Sequence, residues 1–254
     1  MIVSHKYKYL FIEIPLTASW AIRNELCEYY DGIPVLHKHA TYSEFRRQGS
    51  KKEMSYFVFA AVRNPLDKIV SRYYKLKMNQ KEIFSKDAFL RQSVIDYSDI
   101  KKYAYIISQE ISFEEYFIKY CKKPYNDMVD FSSRYLNYVV RYESIQDGFS
   151  GLLKSMGVEQ IRALPRNNRT PGKRRDYLAN YTPLIIDQAK RVCGPFMKKW
   201  GYPFPDGWGE NRLSMTSNLE YMALNSLKYL YALYFRYNQA SYAVAIRKLM
   251  ARLF

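Results

Sequence analysis

Arg63 is the residue whose position in this sequence most clearly suggests chemistry. It follows an uninterrupted apolar run, residues 57–62, while Asn64 and Pro65 suit the cap and first turn of a helix that carries Ser71 two turns in. Such a run is typical of a strand buried on both faces of a parallel sheet, so we expect Arg63 at the strand's carboxyl end. Ligands bind beyond that end in open α/β sheets, and a guanidinium matches two phosphate oxygens at once. The sequence indicates a phosphate site at Arg63; pairing with a carboxylate is the alternative.

A second strand, loop and helix open the chain. Residues 8–14 predict the strand and residues 21–26 the helix. The loop between them leads into a helix amino terminus, where backbone N–H groups converge and the helix dipole favours an anion. This loop consists of Pro15, Leu16, Thr17, Ala18, Ser19 and Trp20. Two such sites on neighbouring strands could hold two phosphates of one nucleotide.

The elements that must position these sites alternate between strand and helix. Residues 128–131, followed by residues 136–143, predict a further strand, and residues 144–156 predict a helix. Residues 106–120 predict an amphipathic helix with a cap at Ser112. This alternation predicts an α/β fold, with a parallel sheet, right-handed crossovers and flanking helices.

The last part of the chain has a different pattern. A segment rich in Pro and Gly predicts a boundary between an α/β domain, residues 1–205, and a helical C-terminal extension, residues 206–254. Residues 219–237 are apolar on most faces but barely reach the ~20 residues of a membrane span and contain Lys228. Residues 241–254 have the pattern of a basic amphipathic helix. We expect a helical hairpin packed on the core or forming a homodimer, ahead of attachment to a membrane surface.

Composition limits the class of protein further. The net charge of +16 over 254 residues favours an anionic partner through the summed field of the protein. Nucleic acid is not favoured, because nothing in the chain resembles a base-reading module. The three cysteines are widely spaced, without a metal-binding pattern, and this indicates a reducing compartment. Since no signal peptide is visible either, we expect a cytoplasmic, bacterial protein.

Several motifs together resemble one family. The two main motifs are residues 4–15 and Arg63-Asn64-Pro65 with Ser71. Four further segments occur in the family's order along the chain: residues 38–41, 140–145, 164–168 and 200–204. These segments are similar to motifs of the sulfotransferases that use 3′-phosphoadenosine 5′-phosphosulfate (PAPS), specifically the bacterial group related to glycan sulfotransferases. The resemblance covers residues 1–205. It implies a P-loop-like α/β fold and transfer of a sulfuryl group from PAPS to a hydroxyl acceptor, a carbohydrate or a small metabolite. The product is 3′,5′-ADP, and no metal is needed.

The resemblance also implies roles for particular residues. In relatives, the loop at residues 15–20 holds the 5′-phosphosulfate, and the residues matching Arg63 and Ser71 bind the 3′-phosphate. A basic loop that corresponds to residues 162–175 closes on the nucleotide, which makes Lys173 and Arg174 candidates for the 3′-phosphate. A solvated loop or a nucleic-acid patch is the alternative interpretation of that segment.

One departure from the family pattern bears on activity. The family sequence Pro-Lys-Thr-Ala-Gly-Thr-Ser has a lysine where this chain has Leu16. That lysine bridges the phosphosulfate and stabilises the leaving oxygen, and loss of one such donor typically costs ~10²–10³ in rate. Lys38 is the nearest substitute, with Lys6, Lys8 and Lys173 as alternatives. A catalytically degenerate protein that binds a nucleotide or a polyanion on the same scaffold is therefore the rival interpretation.

Transfer to a hydroxyl also needs a base, and histidine is the usual choice because its pKa lies near the working pH. His39 lies where the family places a histidine near the acceptor, so we prefer it to His37. The two are separated by two positions and would lie on the same face of a strand. His5 precedes the first strand and is expected to be structural. Glu13, a carboxylate in an apolar strand, is a further candidate base if burial raises its pKa. Its pairing with Arg63 is the alternative.

Overall fold

The structure is a computed structural model that describes residues 1–79, 84, 97–165, 170–209 and 213–234, with only the backbone of residues 97 and 231–234. The chain divides into two compact units. The sheet unit comprises Met1–Val62, Asn126–Arg166 and Leu219–Phe254, and the helical unit comprises Arg63–Tyr125 and Asn167–Asn218. Two predicted features, residues 166–169 of the basic loop and the helix at 241–254, lie outside the described residues.

The sheet unit contains a five-stranded sheet in the order β3-β1-β2-β4-β5. The strands are β1 (Ile2–Ser4), β2 (Tyr9–Ile12), β3 (Ile33–Pro34), β4 (Phe57–Val62) and β5 (Tyr138–Arg141). Strands β2, β4 and β5 run parallel, whereas β1 is antiparallel to both β2 and β3. The predicted α/β fold is therefore confirmed, with a mixed sheet in place of a wholly parallel one. The antiparallel part arises because β1 and β2 are joined by only four residues, too few for a parallel crossover.

The described helices follow the strands along the chain. They are α1 (Ser19–Tyr29), α2 (Tyr42–Gln48), α3 (Pro65–Met78), α4 (Tyr97–Ser108), α5 (Phe113–Tyr120), α6 (Met128–Ser132), α7 (Ile145–Ser155), α8 (Pro183–Trp200) and α9 (Met215–Tyr234). The chain passes from one unit to the other after Val62, Tyr125, Arg166 and Asn218. Helix α9 agrees with the predicted helical extension, and no helix among the described residues has the length and apolar character needed to cross a bilayer.

The core of the sheet unit explains why the central strands are apolar throughout. Tyr9 and Phe11 of β2 alternate with Leu10 and Ile12, and both sets are buried. The rings of Phe11 and Phe59 stack at 5.0 Å between centroids. This face packs on helices α1 and α7, through residues that include Ile22, Leu26, Phe149, Leu152 and Leu153. A strand buried on both faces cannot carry polar side chains until it ends, as the sequence pattern indicated.

The helical unit is held together largely by aromatic rings around α3. The ring of Tyr73 packs edge-on against Phe113 at 5.6 Å, and Phe113 packs against Tyr181 at 5.1 Å. Both tyrosine hydroxyls are buried and donate to backbone carbonyls, Tyr73 to Ile111 at 2.8 Å and Tyr181 to Leu66 at 3.0 Å. These bonds satisfy the polar ends of rings whose bodies supply apolar contact.

Two predictions of secondary structure are wrong in detail. Residues 128–131 form helix α6 instead of strand, because Asp127 and Asp130 make a reciprocal capping box at its start. The predicted helix at 106–120 is two helices. The cap predicted at Ser112 is present and begins α5, and a helix cannot continue through the N-cap of the next one.

Candidate functional site

The loop after β2 has an unusual backbone. Leu16 and Ala18 have φ angles of 61° and 57°, in the left-handed region that residues other than Gly seldom occupy. The hydroxyl of Thr17, which is buried, donates to the carbonyl oxygen of Ile14 at 2.8 Å and holds the turn. Left-handed residues in such loops turn backbone N–H groups toward a common point, as in anion-binding nests. The side chain of Thr17 therefore has a structural role. The groups that the loop offers to an anion are its backbone N–H groups.

Helix α1 begins directly from this loop. Its N-cap, Ala18, makes no side-chain capping bond, and the first turn contains no acidic residue. The first N–H groups of a helix have no carbonyl partner within it, and the helix dipole places partial positive charge there. Trp20, in this first turn, is 44% exposed. These residues fit a phosphosulfate group that binds through main-chain donors, which is the role predicted for residues 15–20, although Leu16 brings no charge.

Glu13 lies just before the loop and is fully buried. Its Oε2 atom accepts from Nη1 of Arg23 at 2.8 Å and from the amino group of Met1 at 2.5 Å. Both cations that bind Glu13 belong to its own unit. Glu13 is therefore an ion-pair residue in this structure, and we do not retain it as a base.

His39 is linked to the same strand end. It has a φ of 65°, and its Nδ1 atom lies 2.8 Å from the carbonyl oxygen of Glu13. Because a carbonyl can only accept, Nδ1 carries the proton and Nε2 keeps its lone pair. Burial lowers the pKa of His39, and the positive charge of Lys38 acts in the same direction, against the opposing effect of the bond to Glu13. His39 is therefore a neutral imidazole with Nε2 able to take a proton.

His37 is held differently. Its Nε2 atom lies 2.5 Å from Oε1 of Glu44, and its Nδ1 atom lies 2.9 Å from the carbonyl oxygen of Lys38. Both ring nitrogens of His37 are therefore engaged by acceptors within the protein. Lys38, the predicted substitute for the missing lysine, is exposed.

The predicted phosphate site at Arg63 begins the helical unit. Arg63 is only 4% exposed, and its Nη2 atom donates to Oγ of Ser71 at 2.8 Å. Asn64 caps helix α3 by accepting from the N–H of Leu66 at 3.0 Å, and Pro65 occupies the first turn, as predicted. The helix therefore brings together the two residues that the family resemblance assigned to one phosphate.

Arg63 also pairs with a carboxylate, Asp67, which was the alternative interpretation of its position in the sequence. Asp67 accepts from Nε of Arg63 at 2.8 Å through one oxygen and from the ammonium group of Lys173 through the other. Arg174, the other predicted residue of the basic loop, is exposed. Asp67 was missed in the sequence, although Asp67 and Ser71 are spaced by four and so share one face of α3. Arg23 was missed as well, and its spacing carries no comparable signal.

The geometry separates into two kinds of anion-binding chemistry. The sheet unit offers backbone N–H groups at the start of α1, together with a neutral histidine whose proton-accepting nitrogen is defined. The helical unit offers a guanidinium and an ammonium group gathered on one carboxylate. Fixed dipoles and paired cations of this kind suit phosphate and sulfate groups.

Comparison with known proteins gives one match. A family model described as Sulfotransferase family matches residues 1–192 of this chain. Searches of curated proteins and of solved structures give no match.

Proposed function

The chain belongs to the sulfotransferase family, and we propose that it transfers a sulfuryl group from PAPS to a hydroxyl acceptor, a carbohydrate or a small metabolite. The observation that carries the choice of donor is the buried bond between Arg63 and Ser71. A guanidinium held beside a hydroxyl offers a terminal phosphate several donors in a fixed arrangement. In this proposal, Arg63 and Ser71 bind the 3′-phosphate, with Lys173 as a second cation and Arg174 at the exposed edge of the site.

The proposal assigns the 5′-phosphosulfate to the loop of the sheet unit. The amides of residues 16–20 bind the 5′-phosphosulfate, helped by the dipole of α1. PAPS carries roughly four negative charges, since a terminal phosphate counts for nearly two.

PAPS supplies the activated sulfuryl group, and the chain supplies the proton transfer and the charge stabilisation. Nε2 of His39 accepts the proton of the acceptor hydroxyl as the oxygen of that hydroxyl attacks sulfur. The new oxygen–sulfur bond forms as the bond from sulfur to the 5′-phosphate oxygen breaks, and 3′,5′-ADP is released. The amides at the start of α1 stabilise the charge that develops on that oxygen.

Calorimetric titration with 3′,5′-ADP tests the donor. We expect saturable one-to-one binding in the unmodified protein and, in Arg63→Ala, a loss of about 10–100-fold, because charge-assisted hydrogen bonds to the 3′-phosphate are removed. Arg72→Ala is the matched control, since Arg72 lies on α3, the helix that follows Arg63, but pairs with Asp99. Equal affinity in Arg63→Ala and the control would remove the nucleotide site from Arg63.

A second candidate function follows from Leu16. Without the family's lysine, the scaffold could bind the nucleotide or another polyanion and not catalyse transfer. Turnover of PAPS against a panel of hydroxyl acceptors separates the two functions. Saturable binding of 3′,5′-ADP with no turnover above background would favour the binding protein.

A further inference from the structure

Asp67 is the centre of the cation cluster in the helical unit. Its Oδ2 atom lies 2.8 Å from both Nε and Nη2 of Arg63, and its Oδ1 atom accepts from the ammonium group of Lys173. The side chains of Arg63, Asp67 and Lys173 are 5%, 7% and 13% exposed. Each carboxylate oxygen therefore serves a different cation, and all three groups are largely shielded from water.

Two cations so placed would repel each other strongly without this carboxylate. Burial of a charge is unfavourable unless it is paired, and repulsion between like charges grows as water is removed. Asp67 offsets both costs and leaves one net positive charge in the cluster. Asp67 also lies on the same face of α3 as Ser71, whose hydroxyl accepts from Nη2 of Arg63, the nitrogen that also contacts Asp67.

Lys173 reaches this cluster from far along the sequence, 106 residues after Asp67. The ion pair between Lys173 and Asp67 therefore fixes a loop, residues 170–175, onto the first turn of α3 within the same unit. A lysine on a solvated loop would lose side-chain entropy each time a ligand bound. Here that entropy is lost on folding, before any ligand arrives.

We infer that Asp67 is a positioning residue, which holds Arg63 and Lys173 together as one preformed site for the 3′-phosphate. This role rests on the proposed nucleotide site, to which it adds a residue that does not touch the ligand. A purely structural ion pair would have a different signature. Its loss would lower stability, but it would not change the preference of the protein for a nucleotide with a 3′-phosphate.

The test compares two nucleotides that differ only in that phosphate. The dissociation constants of 5′-AMP and 3′,5′-ADP are measured for the unmodified protein, Asp67→Asn and Asp99→Asn. We expect the preference for 3′,5′-ADP to fall about tenfold in Asp67→Asn, because the two cations are no longer gathered on a carboxylate. Asp99→Asn is the matched control: Asp99 is another poorly exposed carboxylate of the same unit that binds an arginine and a lysine, Arg72 and Lys102. The preference of the Asp99→Asn variant for 3′,5′-ADP over 5′-AMP should not change.

The outcomes distinguish a failure of the proposed function from a failure of the role of Asp67. If the unmodified protein binds 3′,5′-ADP no more tightly than 5′-AMP, the proposed function and the role of Asp67 both fail. If the unmodified protein prefers 3′,5′-ADP and Asp67→Asn keeps that preference in full, the role of Asp67 alone fails.

Hydrogen exchange without nucleotide gives a second, independent measurement. Exchange of the amides at residues 170–175 should become faster in Lys173→Gln, since the ion pair that fixes this loop is lost. This variant keeps Asp67 paired with Arg63, so the measurement stands even if Asp67→Asn does not fold. Unchanged exchange in this loop would overturn the inference.

Discussion

At the scale of single residues, the hydrogen bond from His39 to the carbonyl oxygen of Glu13 decides which ring nitrogen can act as a base. We expect His39→Ala to lower kcat by ~10²–10⁴, the usual contribution of a general base. His37→Ala should keep most of the activity, because both ring nitrogens of His37 are already engaged by Glu44 and by the carbonyl oxygen of Lys38. Steady-state turnover of PAPS measures both variants. Full activity in His39→Ala would remove it as the base.

The pH profile of the unmodified enzyme tests the state of the same ring. Burial lowers the pKa of His39 below its ordinary value of about 6.5. The base is active only when it is neutral, so kcat should be constant near neutral pH and fall only as the pH drops through the lowered pKa. An acid limb of kcat centred above pH 7 would contradict this assignment.

Leu16 offers a test by gain of function. In Leu16→Lys the family's cation returns to the loop, and we expect kcat to rise about tenfold or more, since such a donor typically contributes ~10²–10³. Leu16→Met is the control, because it keeps a long uncharged side chain on the same left-handed backbone. Equal turnover in the two variants would show that another cation, such as Lys38, already fills the role.

The residues of the candidate site could be predicted from sequence where their position along an element was informative. Arg63 follows from a strand end, Ser71 was implied by the family resemblance, and the structure brings the two into contact. Glu13 could not be assigned, because its ion pair with Arg23 depends on how α1 packs against β2. The tautomer of His39 is set by a backbone carbonyl, and no sequence pattern carries that information.

At the scale of elements, the start of helix α1 should discriminate against negative charge. In Trp20→Glu, the new carboxylate in the first turn interacts favourably with the helix dipole, by about 0.3–1 kcal/mol. The same carboxylate competes with the phosphosulfate for the positive end of that dipole. We expect weaker binding of 3′,5′-ADP than in Trp20→Gln, with an equal or higher melting temperature. The Gln variant controls for loss of the indole ring. Equal affinity in the two variants would place the nucleotide away from this helix end.

The elements themselves were predictable to different degrees. The run Phe57–Val62 is apolar throughout because β4 is buried between parallel neighbours, so its length is readable from sequence. Strands β1 and β3 have only three and two residues, too few for a periodic pattern, and their existence depends on pairing. Residues 128–132 contain branched and aromatic side chains typical of strands, but the cap at Asp127 decides for helix.

At the scale of the whole molecule, the exposed side of α9 bears on the predicted homodimer. Leu219, Met222 and Leu230 are 61%, 57% and 48% exposed, and their spacing places them on one face of the helix. We expect a dimer in sedimentation experiments at micromolar concentration, because a second copy would remove this apolar surface from water. The double substitution Leu219→Glu and Met222→Glu should yield monomers.

Leu184→Glu is the control for the dimer, since Leu184 is a 72% exposed leucine on α8. It should leave the assembly unchanged. A monomer in the unmodified protein at the highest concentration tested would remove the predicted dimer without affecting the nucleotide site.

The central claim is that the chain binds the donor nucleotide with its 3′-phosphate on Arg63 and Ser71. A crystal structure of the protein with 3′,5′-ADP measures this most directly. We expect the 3′-phosphate within hydrogen-bond distance of the Arg63 guanidinium and the Ser71 hydroxyl. A nucleotide whose 3′-phosphate touches neither group, or that binds elsewhere on the molecule, would contradict the account.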